Sequence, residues 1–128
     1  MSLDLYLEAD DVLTVAVLER ALEMAGADEI NTDGQAIEAL FESGLTFSTS
    51  ASNDQAIYAE ETKGATFLVA LRCYIRIKGP APEGSSPLDD LERIARSIAE
   101  VCLSHFLISF QFEQTLYWRD ENGLHCSE

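Results

Sequence analysis

The sequence predicts an α+β domain, a mixed β-sheet with helices packed on one face. Three observations carry this. Leu3, Leu5 and Leu7 alternate with Asp4, Tyr6 and Glu8, and Ala65 to Lys78 alternate in the same way, both with the period of two that belongs to a strand with one buried face. Between them and again after residue 86, apolar residues recur at helical spacing. Finally, 128 residues that are 47% hydrophobic suffice for one core and no more, so residues 1–128 read as a single domain.

Taken in order, the first alternation opens the chain with a strand. Asp10 or Asp11 then caps a helix whose stripe Leu13, Val17, Ala21 and Met24 ends at Gly26. Thr32 and Gln35 have capping-box spacing ahead of Ile37, Leu40 and Phe41, which predicts a second, short helix stopped by Gly44. Leu45, Phe47 and Thr49 form a short strand, and Gln55 to Glu61 form another after the turn-like Ser52-Asn53-Asp54. The strand over 65–78 follows, with Arg72, Tyr74, Arg76 and Lys78 on its second face. GPAPEGSSP (79–87) is a loop that delivers Ser86-Pro87 as cap and first-turn proline of a helix. In that helix Leu91, Ile94, Ala95, Ile98, Val101 and Cys102 face inwards, and Asp89–Arg93 and Glu92–Arg96 are i,i+4 pairs. Phe106, Ile108, Phe110, Phe112, Leu116 and Trp118 share one parity and predict one long strand over 106–119, bulged near Gln114. Asp120-Glu121-Asn122-Gly123 turns the chain, and Leu124 to Cys126 fold back as a terminal hairpin strand. The expected order is β-α-α-β-β-β-α-β with this C-terminal hairpin, and the two long strands, joined through a helix, are expected to lie parallel.

Charge is the dominant feature of the composition. Residues 1–62 hold fourteen acids against one base, Arg20, while residues 63–128 hold nine acids and seven bases; the whole chain carries a formal −15. A field of that sign repels phosphate backbones and anionic lipid, so neither nucleic acid nor a membrane surface is an expected partner. The acid-rich start and the lack of a long apolar run point to a cytoplasmic protein. Cys73, Cys102 and Cys126 are odd in number and lack C-x-x-C spacing, which points to structural thiols.

Motifs for chemistry are absent from the sequence. Glu29, Asn31, Asp33 and Gly34 imitate the start of a calcium loop, but Leu40 stands where the bidentate Glu is needed, so no metal is expected. His105 stands at a helix-to-strand junction, and the adjacent His125 and Cys126 point to opposite faces of a strand, so they cannot act as base and nucleophile on one another. No glycine-rich phosphate loop or nucleophile elbow occurs, and no cofactor is expected.

In size, acidity and lack of a signal peptide or catalytic motif, the whole chain resembles the immunity proteins encoded beside bacterial polymorphic toxins, including those that guard against type VI or contact-dependent effectors. The resemblance implies a non-enzymatic protein that binds a cognate basic toxin. The acids placed to meet such a partner are Asp28, Glu29, Asp33, Glu38 and Glu42, with Asp54, Glu60 and Glu61 nearby and Tyr58 as an aromatic anchor among them. The alternative is a small-molecule-binding or enzymatic domain with a site on the open sheet face around Arg72, Tyr74, Arg76 and Tyr117. A homodimer formed across the sheet is compatible with both.

Overall fold

A computed structural model describes residues 2–33, 36–49, 54–78, 84 and 86–127. Its elements are β1 (Ser2–Ala9), α1 (Val15–Ala25), β2 (Glu29–Thr32), β3 (Ile37–Leu40), β4 (Leu45–Thr49), β5 (Leu71–Lys78), α2 (Pro87–Val101), β6 (Phe106–Phe110), β7 (Gln114–Asp120) and β8 (Gly123–Cys126). The eight strands form one sheet in the order β2-β3-β4-β5-β1-β6-β7-β8. Every neighbouring pair is antiparallel.

The predicted α+β class holds, with more sheet and one helix fewer than expected. β5 and β6 do run in the same direction, as a helical crossover requires, but β1 lies between them and pairs with both. β1 and β4 also run in one direction with β5 between them, their connection carrying α1 and then β2 and β3. These two connections place α1 and α2 on one face, where Leu18, Ala21 and Leu22 of the first and Leu91, Ile94 and Ile98 of the second close over Leu5, Leu7, Phe47, Ile75, Phe106 and Ile108.

Four expected elements differ. The helix expected over Thr32–Phe41 is the β2–β3 hairpin: Ile37 and Ala39 are buried while Glu38 and Leu40 are exposed, so the period is two. So short a run has too few turns to hold as a helix without tertiary packing, and Ile37, Ala39 and Phe41 share the parity of a strand face, which leaves Leu40 on the other side; Gln35 of the capping box lies outside the described residues. The strand expected from residue 65 begins only at Leu71, because its partner β1 ends at Ala9, opposite Leu71, and beyond that point there is no ladder to join. Gln55 to Glu61 likewise form no strand, and Ser52 and Asn53 of the turn before them lie outside the described residues, as does most of the 79–87 loop. The single strand over 106–119 is the β6–β7 hairpin, turned at Gln111 and Phe112, both with positive φ (53° and 62°). A register shift opposite Ile108 and Ser109 places the irregularity beyond Gln114, so that Thr115 and Tyr117, not neighbours in sequence, face neighbouring β6 residues.

Local signals set the remaining boundaries. Thr14, not Asp10 or Asp11, caps α1 by accepting from the Val17 N–H, and Gly26 ends it in the left-handed region. The buried face of α1 is Leu18, Ala21, Leu22 and Ala25, which leaves Met24 exposed. Ser86 caps α2 with Pro87 in its first turn, as expected. Arg96 pairs with Glu92, but Arg93 takes Asp90 in place of Asp89, because Ser43 holds the Asp90 carboxylate in a fixed position. The β3–β4 turn requires Gly44: its φ is 97°, and a Cβ there would stand 2.7 Å from the Lys78 carbonyl oxygen.

Candidate functional site

The second face of the sheet, opposite the helices, is where the polar residues converge. Along β1 it carries Asp4, Tyr6 and Glu8, and along β5 Arg72, Tyr74 and Arg76, in register as Asp4–Arg76, Tyr6–Tyr74 and Glu8–Arg72. Residues 54–70, which have no regular secondary structure, cross this face as a strap. A connection of that length inside a compact domain is unusual enough to require an explanation of what holds it.

The answer is a buried ion pair. Arg72 donates to the Glu8 carboxylate from Nη2 (3.0 Å) and Nε (3.3 Å), with the two side chains 3% and 0% exposed. The rest of both groups is satisfied by the strap. Glu8 accepts from the Tyr58 and Ala59 N–H groups, and Arg72 donates to the Asp54 and Ala56 carbonyls. The Tyr58 ring covers the guanidinium at 4.0 Å. Farther along, the Thr115 N–H and hydroxyl bond to Glu61, and the Glu60 N–H donates to the Phe112 carbonyl. Tyr74, Tyr6, Phe112 and Tyr58 follow one another in ring contact beneath the strap.

The nine residues expected to meet a partner therefore fall into two groups. Asp54, Tyr58, Glu60 and Glu61 belong to the strap: the Asp54 carboxylate accepts from the Tyr58 hydroxyl and the Ala56 N–H, and Glu61 holds Thr115 and Lys63. One face of the Tyr58 ring lies on Arg72 and the ring meets Phe112 in a T-shaped contact, while the residue stays 42% exposed. Asp28, Glu29, Asp33, Glu38 and Glu42 lie at the far side of the sheet, on the β2–β3 hairpin and the turns that flank it, and all five are exposed. Asp28 accepts from the Glu42 N–H and Asp33 from the Ala36 N–H, bonds that shape the turns flanking the hairpin. The strap group lies over β5 and β1, and β4 stands between β5 and the β2–β3 hairpin that carries the other group.

No protein-family model, curated protein or solved structure matches this chain.

The face expected to be open around Arg72 is thus closed over its centre, and Tyr117 points the other way, beside Glu92 and Arg96 on the helix side. Arg76 and Lys78 remain exposed, and Tyr74 donates to Asp4, which with burial raises its hydroxyl pKa above the ordinary value. Among the clefts of the described residues are two of about 210 Å³. One, at the N-terminus of α2, is lined by Asp28, Glu42, Asp89, Asp90 and Arg93. The other, between the strap and the β6–β7 end of the sheet, is lined by Lys63, Phe67, His105, Trp118, Arg119 and Asp120. Lys63 lies over the Trp118 ring, and His125 stacks on it while bonding to Asp120, whose carboxyl is held below its ordinary value by that bond. This second cleft gathers aromatic rings with Lys63, Arg119, Asp120 and Glu121, and its residues come from three separate segments, so sequence spacing carried no sign of it. Among the described residues no group of three His, Cys, Asp or Glu side chains is arranged to hold a metal, and no helix is long and apolar enough to cross a membrane. The cysteines are free: Cys73 is buried, which pushes its thiol pKa up, Cys102 is half-buried and Cys126 is exposed.

Proposed function

We propose that this chain is a non-enzymatic binding protein that neutralises a basic partner, as an immunity protein neutralises its cognate toxin. The observation that carries the reading is the exposed group Asp28, Glu29, Asp33, Glu38 and Glu42, concentrated at one edge of the sheet in a stretch, residues 21–62, with no Lys or Arg at all. Carboxylates clustered at a surface raise the local concentration of a cationic protein and speed its approach, and a basic cleft that normally receives phosphates is a natural complement. The strap supports this indirectly: other acids of the same half, Glu8 and Glu61 among them, are held inside it or against the sheet, whereas these five are exposed at the surface.

The test is to compare wild type with a variant carrying amides at all five positions, each immobilised and challenged with lysate of the source organism over rising salt. The expected result is one basic protein, growth-arresting when expressed alone, retained by the wild type and eluting at clearly lower salt from the variant. Retention of that protein at unchanged salt by the variant would overturn the reading.

A second reading rests on the cleft at Lys63, Phe67, His105, Trp118 and Arg119, with Asp120 and Glu121, whose rings and charges of both signs suit a small polar molecule. It moves the small-molecule alternative away from Arg72, which is sealed. A metabolite released from the purified protein on denaturation, with no basic protein captured, would favour it.

A further inference from the structure

We infer that β2 is a docking edge, which takes up one strand of the basic partner into the sheet, and that this strand alternates basic with apolar side chains. The inference rests on the acidic-surface reading above and adds to it where, and in what conformation, the partner binds.

β2 is the terminal strand of the sheet, and no described residue pairs with its outer side. Which of its backbone groups face outwards follows from the ladder. The Asp33 N–H donates to the Ala36 carbonyl of the hairpin, so Asp33, and by alternation Asn31 and Glu29, turn their polar groups towards β3. Ile30 and Thr32 therefore direct N–H and C=O away from the sheet. An exposed edge of this kind is a template for another strand, and proteins guard such edges with charge.

Here the guard is of one sign, which makes it selective. A second copy of this chain would set Glu29 and Asp33 against carboxylates, and like charges across a strand pair are unfavourable. A basic strand would be attracted by the same residues. Side-chain alternation then specifies the pattern. Glu29 and Asn31 share one face, with Glu38 beside Asn31 on β3, so the incoming strand sets Lys or Arg on that face. Ile30 lies on the other face, half-buried against the core, and asks for an apolar neighbour there. The opposite edge, β8, lacks this selectivity, with Arg96 and His125 beside Leu124 and Cys126.

The probe is a blocked heptapeptide of alternating lysine and valine, together with the same peptide N-methylated at alternate residues, which keeps its charge but loses the ability to pair along one edge. Binding is followed at low ionic strength by NMR, with amide hydrogen exchange read at Ile30 and Thr32. The expected result is that the unmethylated peptide binds and slows exchange at those two amides by about tenfold or more, as new backbone hydrogen bonds require, while the methylated peptide does neither. Thr32→Pro, which removes an outward N–H and no β3 bond, is expected to weaken the unmethylated peptide several-fold; the peptide pair keeps the test decisive if that variant does not fold. Equal binding of the two peptides without protection of Ile30 and Thr32 would overturn the edge and leave the acidic surface standing. Failure of both peptides to bind would overturn the edge and the acidic-surface reading together.

Discussion

Glu8 and Arg72 stand directly opposite one another on β1 and β5, joined at 3.0 Å, and both are buried. The pair is worth little as an isolated attraction, because removing both charges from water costs several kcal/mol per ion. What makes it viable is that the strap supplies the remaining partners, two N–H groups to the carboxylate and two carbonyls to the guanidinium. The ion pair and the strap are therefore mutually dependent: the strap completes the solvation shell that water no longer provides, and the pair gives an irregular segment a fixed place on the sheet.

Breaking that pair on one side should be severe. Glu8→Ala leaves the Arg72 charge buried and is expected to cost about 3–5 kcal/mol, measured as a shift of the urea midpoint at unchanged slope. Replacing both residues by apolar ones of similar volume, Glu8→Leu with Arg72→Met, should cost less than the Glu8 change alone, while opening residues 54–70 to limited proteolysis. Equal stability of wild type and Glu8→Ala would show that the strap is held by other contacts.

Gly44 allows a second test, independent of the first. Its positive φ and the Lys78 carbonyl at 2.7 Å from any added Cβ combine a backbone penalty with a backbone clash. Gly44→Ala is expected to lower stability by about 1–3 kcal/mol, read by thermal or urea unfolding. A neutral effect would mean that the β3–β4 turn relaxes away from β5.

The third concerns acid. The Asp54 carboxyl is held below its ordinary 3.8, first by the Tyr58 hydroxyl and then by the Ala56 N–H. A carboxyl lowered on folding is one whose ionised form the fold prefers. Its contribution is fully present above the unfolded value of 3.8 and is lost as pH falls through the lower folded value. Tyr58→Phe removes the principal cause, so the Asp54 midpoint, followed by carboxyl-carbon NMR, should rise towards 3.8. An unmoved midpoint would assign the shift to the Ala56 N–H.

Much of this architecture was legible along the chain. The first strand, both long helices, the Leu45–Thr49 strand and the terminal hairpin follow from alternation, caps and turn residues, which are local properties. The β2–β3 hairpin was not, because Ile37, Leu40 and Phe41 fit a helical face while Ile37, Ala39 and Phe41 fit a strand face, and only burial of Ala39 with exposure of Leu40 separates the two. The turn at Gln111–Phe112 was hidden for a different reason: it carries none of the glycine, proline or Asn-Gly chemistry that announces a hairpin.

The site divides in the same way. That the N-terminal half is acidic, that its carboxylates have almost no bases nearby in sequence, and that no familiar catalytic motif occurs are facts of composition and spacing, and the sequence alone determines them. Which acids remain available was decided only in three dimensions. Glu8, unremarkable in its alternating strand, is buried because β1 ends where β5 begins, which sets it opposite Arg72 and leaves the residues before Leu71 without a ladder to join. Those residues cross the sheet face instead and take Asp54 and Glu61 into internal bonds, while Asp28, Glu29, Asp33, Glu38 and Glu42 stay exposed on the far side of the sheet. Hydrophobic period is encoded residue by residue; strand order, and with it the neighbour each charge meets, depends on how all eight strands and both helices close over one core.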